Sequence, residues 1–251
     1  MNTKKLLNYL NTYLSANKIK DYCPNGLQVE GGENIQRIIT GVTASQALID
    51  QAVEQKADAI IVHHGYFWKG EPAQVVGMKK NRLKTLLEND INLIAYHLPL
   101  DVHPEVGNNA QLAQLLGLTI TGGMTPGDPM SVGNLAELSS PVQLDDFAKL
   151  VAQKLNRDPL VEAAGKNEIK TVALCTGGAQ DFIDQAALLG ADLYITGEVS
   201  ERTILSAREL GINFIAAGHH ATERYGVKAL GEHLAKEFKL DVAFIDIDNP
   251  A

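Results

Sequence analysis

The sequence predicts an α/β protein built from two similar lobes. Three observations carry this. Short apolar runs alternate with helical patterns, the second half repeats the first, and the bulk composition is that of a globular chain. Of 251 residues, 45% are hydrophobic and 21% charged, so the chain can bury a large core and disorder is excluded.

Leu6, Leu7, Leu10 and Leu14 define an amphipathic first helix. DYCPNGLQVEGGEN (21–34) is rich in turn residues and reads as a loop. RIITGV, AIIVHH and NLIAYH are continuous apolar runs, as buried strands are. SQALIDQAVEQ and KKNRLKTLLEND are the helices between them, and NNAQLAQLLG is a further helix closed by Gly117. Strands alternating with helices predict a parallel sheet with right-handed crossovers. Residues 118–168 break the rhythm with Gly, Pro and Ser, and read as short strands or a connection, with a helix at VQLDDFAKLVAQKL. Strands then alternate with helices again to VAFIDI. The expected division is lobe one over 1–117, a connecting segment over 118–168 with no inserted domain, and lobe two over 169–251.

The repeat is explicit. At a shift of 134, Ile35, Gln46, Ile49, Asp50, Gln51, Ala52, Ala57 and Asp58 meet Ile169, Gln180, Ile183, Asp184, Gln185, Ala186, Ala191 and Asp192. At a shift of 121, INLIA (91–95) meets INFIA (212–216). The first lobe therefore carries 134 − 121 = 13 extra residues, placed at the GYFWKGEPAQVV loop.

Charge and cysteine usage narrow the function. The net charge of −8 excludes sequence-independent nucleic-acid binding as an expectation. Cys23 and Cys175 stand far apart, without the spacing of a disulfide framework or a thiolate zinc site. The N-terminus lacks the pattern of a signal peptide, and no apolar run reaches the ~20 residues that span a membrane. A cytoplasmic protein is expected.

The repeat gathers the chemistry. His63 and His64 end the second strand of lobe one, and Glu198 ends the matching strand of lobe two. His97 and Asp101, in HLPLD, follow the third strand of lobe one, with Pro99 predicting a loop there. His219 and Glu223 form H-x-x-x-E at the start of a long helix after the third strand of lobe two. All lie at strand carboxyl ends, where open α/β sheets build sites. Three histidines and two carboxylates are enough for two metal ions. The bland alternatives are a core histidine pair, a turn aspartate and a capping pair, and spacing does not separate His219 from His220. His97 and Glu198 rank next, as acid/base groups or ligand-orienting residues. His103 and His220 read as solvent-exposed neighbours, and His233 as structural. Tyr66, Phe67, Trp68 and Lys69 form an apolar loop that can cover a planar ring or pack. TGG (176–178) opens a helix in a manner suited to an anion. Cys175 reads as a buried thiol.

PNGLQVEG (24–31), GVTAS (41–45), VHHGYFWKG (62–70), HLPLD (97–101), GNNAQLA (107–113), TGE (196–198) and GHHATERYG (218–226) resemble the NIF-three-like dinuclear metal proteins, also known as GTP cyclohydrolase 1 type 2 homologues. The likeness runs end to end and is strongest to the compact YbgI-like bacterial branch. It implies two α/β lobes with a dimetal centre between them, and a toroidal homohexamer, a trimer of dimers. It places the metal ligands on His63, His64, Asp101, His219 and Glu223, which chooses His219 over His220. The implied cofactors are two divalent ions per chain, drawn from zinc, iron, manganese, nickel or magnesium. The leading function is a metal-dependent hydrolase of purine nucleotides, damaged nucleotides included. The alternatives are a non-catalytic metal-binding scaffold and an iron oxygenase.

Overall fold

Continuous apolar runs demand burial on both faces of a sheet, and the structure provides it twice. This computed structural model describes residues 1–251. The chain opens with α1 (Thr3–Tyr13), β1 (Gly26–Val29), β2 (Arg37–Thr43), α2 (Gln46–Glu54), β3 (Ala59–His64), α3 (Gly77–Glu88), β4 (Asn92–Ala95) and the one-turn α4 (Leu98–Asp101). It continues through α5 (Asn108–Leu115), β5 (Thr119–Gly123), β6 (Asn134–Gln143), α6 (Leu144–Leu155), β7 (Leu160–Glu162) and β8 (Glu168–Leu174). It closes with α7 (Ile183–Leu188), β9 (Leu193–Thr196), α8 (Glu201–Leu210), β10 (Asn213–Ala216), α9 (His219–Phe238) and β11 (Asp241–Phe244). Two compact units result: Met1–Gly107 with Gly226–Asp248, and Asn108–Tyr225 with Asn249–Ala251.

The first unit holds a five-stranded sheet of order β1-β4-β3-β2-β11. Ile38, Ile39, Ile60, Ile61, Leu93 and Ile94 are fully buried within it. Leu6, Leu10 and Leu14 from α1 pack in one core cluster with Val227, Leu230 and Leu234 of α9. Leu48, Ile49 and Ala52 of α2 pack in another with Leu83 and Leu86 of α3. Each such side chain stabilises the fold by roughly 1.5–3 kcal/mol relative to exposure. Asn2 caps α1 through its side-chain oxygen, and Ser45 caps α2.

The second unit holds a six-stranded sheet of order β5-β6-β8-β9-β10-β7. Leu144, Phe147, Val151 and Leu155 line one face of α6 and pack with Val172, Leu174, Leu193 and Ile195. That spacing is the amphipathic period that made this helix legible.

The duplication is visible in individual hydrogen bonds. The Asp58 carboxylate accepts from the backbone N–H groups of Gln36 and Arg37 at 2.8 and 2.9 Å. Asp192 accepts from those of Lys170 and Thr171 at 3.0 and 2.9 Å. Asn92 accepts from Gly31 N and donates to the Asp58 carbonyl. Asn213 accepts from Gly165 N and donates to the Asp192 carbonyl.

Four details differ from the sequence expectation. The sheets are mixed. β2, β3, β4 and β11 run parallel, as do β8, β9 and β10, but β1, β5, β6 and β7 are antiparallel to their neighbours. GLQV within the expected loop is β1, an edge strand on β4. Its counterpart is β7, an edge strand on β10, so the second repeat starts inside 118–168. That segment also supplies β5, β6 and α6, and it belongs to the second unit, while the last part of α9 and β11 belong to the first. Finally, HLPLD is not a loop: its last four residues form the whole of α4, with His97 as the N-cap. Pro99 sits in the first turn, where no N–H is required and its φ suits a helix.

Candidate metal centre

In the first unit, β3 delivers His63 and His64 as its last two residues. Successive strand residues point to opposite faces, yet the two rings lie 4.4 Å apart at the strand end. His63 is fully buried. Its Nδ1 lies 3.1 Å from the Tyr96 carbonyl oxygen, which fixes Nδ1 as the protonated nitrogen. Its Nε2 then stands 3.5 Å from Oδ1 of Asp101, itself buried at the end of α4. The Thr43 hydroxyl sits 3.2 Å from Nδ1 of His64. His97 follows β4, its ring 5.0 Å from that of His63 and 5.8 Å from that of His64. One ring nitrogen from each of His63, His64 and His97 falls within 4.8 Å of the others, a cluster able to hold a metal ion.

In the second unit, the first turn of α9 presents His219 and Glu223, one helical turn apart. His219 Nε2 is 3.1 Å from Oε2 of Glu223, and its Nδ1 is 2.7 Å from Oε1 of Glu198. Glu223 is buried and Glu198 is largely exposed. Burial alone would lower the His219 pKa, but the Glu223 and Glu198 carboxylates override it and raise it to about 9. Glu198 thus stands where a carboxylate orients an imidazole through the ring nitrogen away from the working one.

The TGG segment has a different use from the one expected. Only a short 3-10 turn and the six-residue α7 follow it, so it opens no long helix. Gly177 has φ +69, and a Cβ there would fall on Oε1 of Glu223 and within 3.2 Å of Nε2 of His219. Gly197 is equally confined: a Cβ would lie 2.6 Å from the His219 Cα. The anion that Gly177 admits is the protein's own Glu223 carboxylate, while Gly197 makes room for the His219 backbone. Thr222 ties the turn, accepting from Gly177 N at 3.1 Å while donating to the His219 carbonyl at 2.9 Å.

The remaining candidates separate cleanly. His103 and His220 are both buried rather than solvent-exposed. His103 Nδ1 accepts from the backbone N–H groups of Glu105 and Val106, closing a turn. The backbone N–H of His220 donates to the carbonyl of Ala251. His233 stacks on Tyr13 at 4.2 Å and hydrogen-bonds Tyr9, a packing role as expected. Tyr66 is buried and donates to the Ala44 carbonyl. Trp68 stands edge-on to His97 at 4.9 Å and 6.0 Å from His64, whereas Phe67 and Lys69 are exposed. Cys175 is a buried thiol that donates from Sγ to the Val132 carbonyl at 3.6 Å.

The family model for Duf34/NIF3 (NGG1p interacting factor 3) matches residues 1–250. This chain belongs to the DUF34/NIF3 family. A Pseudomonas aeruginosa relative is 62% identical over 95% of this chain and 94% of its own length. A Vibrio cholerae relative is 57% identical over the whole of both chains. Both carry the name GTP cyclohydrolase 1 type 2 homolog. A solved structure described as protein ybgI, of unknown function, superposes with a TM-score of 0.97 at 56% identity over all of both chains. One from Thermus thermophilus gives 0.90 at 37%, also over all of both chains.

For this DUF34/NIF3 chain the donor chemistry fits divalent ions. Imidazole and carboxylate together suit zinc, iron, nickel or manganese. Sequence reasoning missed the residues that hold the donors. A backbone carbonyl, that of Tyr96, leaves no trace in a sequence. Asp21 had a trace, an Asp four residues before Asn25 in a turn-rich loop. Its carboxylate lies 2.8 Å from Nδ1 of His97, and Asn25 accepts from the His97 backbone N–H at 2.8 Å.

Proposed function

We propose that His63, His64, Asp101, His219 and Glu223 together hold two divalent metal ions, and that the protein is a metal-dependent hydrolase of purine nucleotides. One observation, made in both units, carries the reading. A histidine is pinned through Nδ1, and its Nε2 faces a buried carboxylate: His63 with Asp101, and His219 with Glu223. Buried carboxylates require compensation, and a cation between such groups supplies it. Histidines that ligate metals are held in this manner by their other nitrogen.

Bound divalent ions would supply an acidic water and a clamp for a substrate oxygen. The chain's own residues do the rest. The Tyr96 carbonyl fixes the His63 tautomer, Glu198 orients His219, and Gly177 leaves the room that Glu223 fills. His97, between Trp68 and the histidine pair, is the group placed to handle a proton. The names of the relatives support a purine nucleotide as substrate and hydrolytic opening of its imidazole ring as the reaction. The same reading includes a homohexamer. The family resemblance and the exposed apolar side chains Val75, Val76, Met78 and Leu87 (51–67% exposed) support an assembling surface.

The test is metal analysis of the purified protein together with a purine-nucleotide hydrolysis screen, on wild type and Glu223→Ala. Two metals per chain, falling sharply in the variant along with turnover, is the expected result. Unchanged metal content in Glu223→Ala overturns the site. A fully metallated protein that leaves GTP and every other purine nucleotide intact overturns the hydrolase and favours the scaffold.

A further inference from the structure

Asp21 lies in the loop ahead of β1 and is not one of the five proposed ligands. Its side chain is only 3% exposed. Three N–H donors and a ring nitrogen of His97 converge on it. Tyr22 N and His97 Nδ1 approach Oδ1 at 2.6 and 2.8 Å, and Asn25 Nδ2 and Leu98 N approach Oδ2 at 2.9 Å each. Burial works against the ionised carboxyl, but hydrogen bonds from His97 and Asn25 override it and hold the pKa at about 2. An ionised carboxylate only accepts. The backbone and amide donors of Tyr22, Asn25 and Leu98 already use both Asp21 oxygens as acceptors, which points to Nδ1 of His97 as the bearer of the shared hydrogen. With that nitrogen engaged, the one left to act beside His63 and His64 is Nε2. The neighbouring Cys23 thiol is pushed up to about 12, first by burial and then by Asp21, so it stays neutral and does not compete as a thiolate.

We propose that Asp21 is a positioning residue of the metal centre: it holds His97 as the Nδ1–H tautomer and so leaves Nε2 as a lone-pair acceptor beside His63 and His64. This rests on the hydrolase reading only for what His97 then accepts from, a water or a substrate hydrogen. The same loop holds residue 97 twice, through Asp21 on the ring and Asn25 on the backbone, and Trp68 closes the ring's edge. A merely structural Asp21 would cap α4 through Leu98 N and place no demand on the tautomer.

The test reads the tautomer directly. Zinc-loaded full-length protein labelled with 15N-histidine is examined by long-range proton–nitrogen correlation. His97 in wild type is expected to show a protonated Nδ1 and a bare Nε2. A protonated or zinc-bound Nε2 overturns the proposal, and this measurement needs no variant to fold. In Asp21→Asn the Nδ1–H signature is lost, zinc content stays at the wild-type level, and turnover of the best nucleotide falls about 100-fold with KM little changed. Wild-type turnover in Asp21→Asn with an altered tautomer also overturns it. The two readings fail separately. A silent nucleotide screen with an Nδ1–H His97 removes the hydrolase and leaves the positioning. An active enzyme with an Nε2–H His97 does the reverse.

Discussion

Gly177 marks where the internal repeat gives way to chemistry. At the shift of 134 it occupies the place of Thr43, whose hydroxyl holds His64. A side chain at 177 would instead displace Glu223. Gly177→Ala is therefore expected to cost about 2–4 kcal/mol, from left-handed backbone plus steric overlap, and to lower metal uptake. Gly211→Ala is the control. Its φ is +66, but the space around it is open, so only the backbone cost of about 1–2 kcal/mol applies, with metal uptake intact. Denaturant melts and metal analysis of the pair check this. Equal costs would remove the cradle. His219 makes a second prediction at this scale, for metal-free protein. Its folded pKa, about 9, lies above the unfolded value of ~6.5, so the folded state binds more protons between them. The stabilisation, at most about 3 kcal/mol, is complete below pH ~6.5 and lost as pH rises through 9. Melts of chelator-treated wild type should fall across that window, and His219→Gln should flatten the profile. The candidate donors were legible in the sequence because the histidine pair and H-x-x-x-E both fall at strand ends of a repeat, and the family resemblance then chose His219 over His220. Their supports were not, because a carbonyl such as that of Tyr96 and a loop carboxylate such as Asp21 gain meaning only from what they face.

At the scale of elements, the repeat is carried by hydrogen bonds as much as by apolar periodicity. Asp58 and Asp192 each accept from two backbone N–H groups at the start of a strand. Asp58→Ala and Asp192→Ala should each destabilise by about 1–3 kcal/mol, because both leave two donors without a partner inside the protein. Measured melts that spare one variant would break the equivalence of the lobes. The strands and helices with continuous or 3.6-residue apolar patterns, β2, β3, β4, α1 and α6 among them, were readable for that reason. β1, β7 and α4 were not. Edge strands carry little apolar signal, since half of their surface meets no core, and a four-residue helix with a proline in its first turn reads locally as a turn.

For the molecule as a whole, the proposed hexamer has a direct check. Light scattering should give six times the 27.1 kDa chain mass. Val76→Asp with Met78→Glu, both on exposed apolar positions, should lower it while leaving the fold intact. An unaltered monomer mass in wild type would remove the assembly. The sequence by itself determined the α/β class and the duplication, and it pointed to the histidines and carboxylates at the strand ends. These depend on periodicity and residue type, which are local properties of the chain. Only the tertiary structure decided where the second repeat begins, which compact unit α9 and β11 join, that Gly177 makes room for Glu223, and that Asp21 holds His97. Those facts depend on which distant segments share a surface, and close packing, not local propensity, sets that.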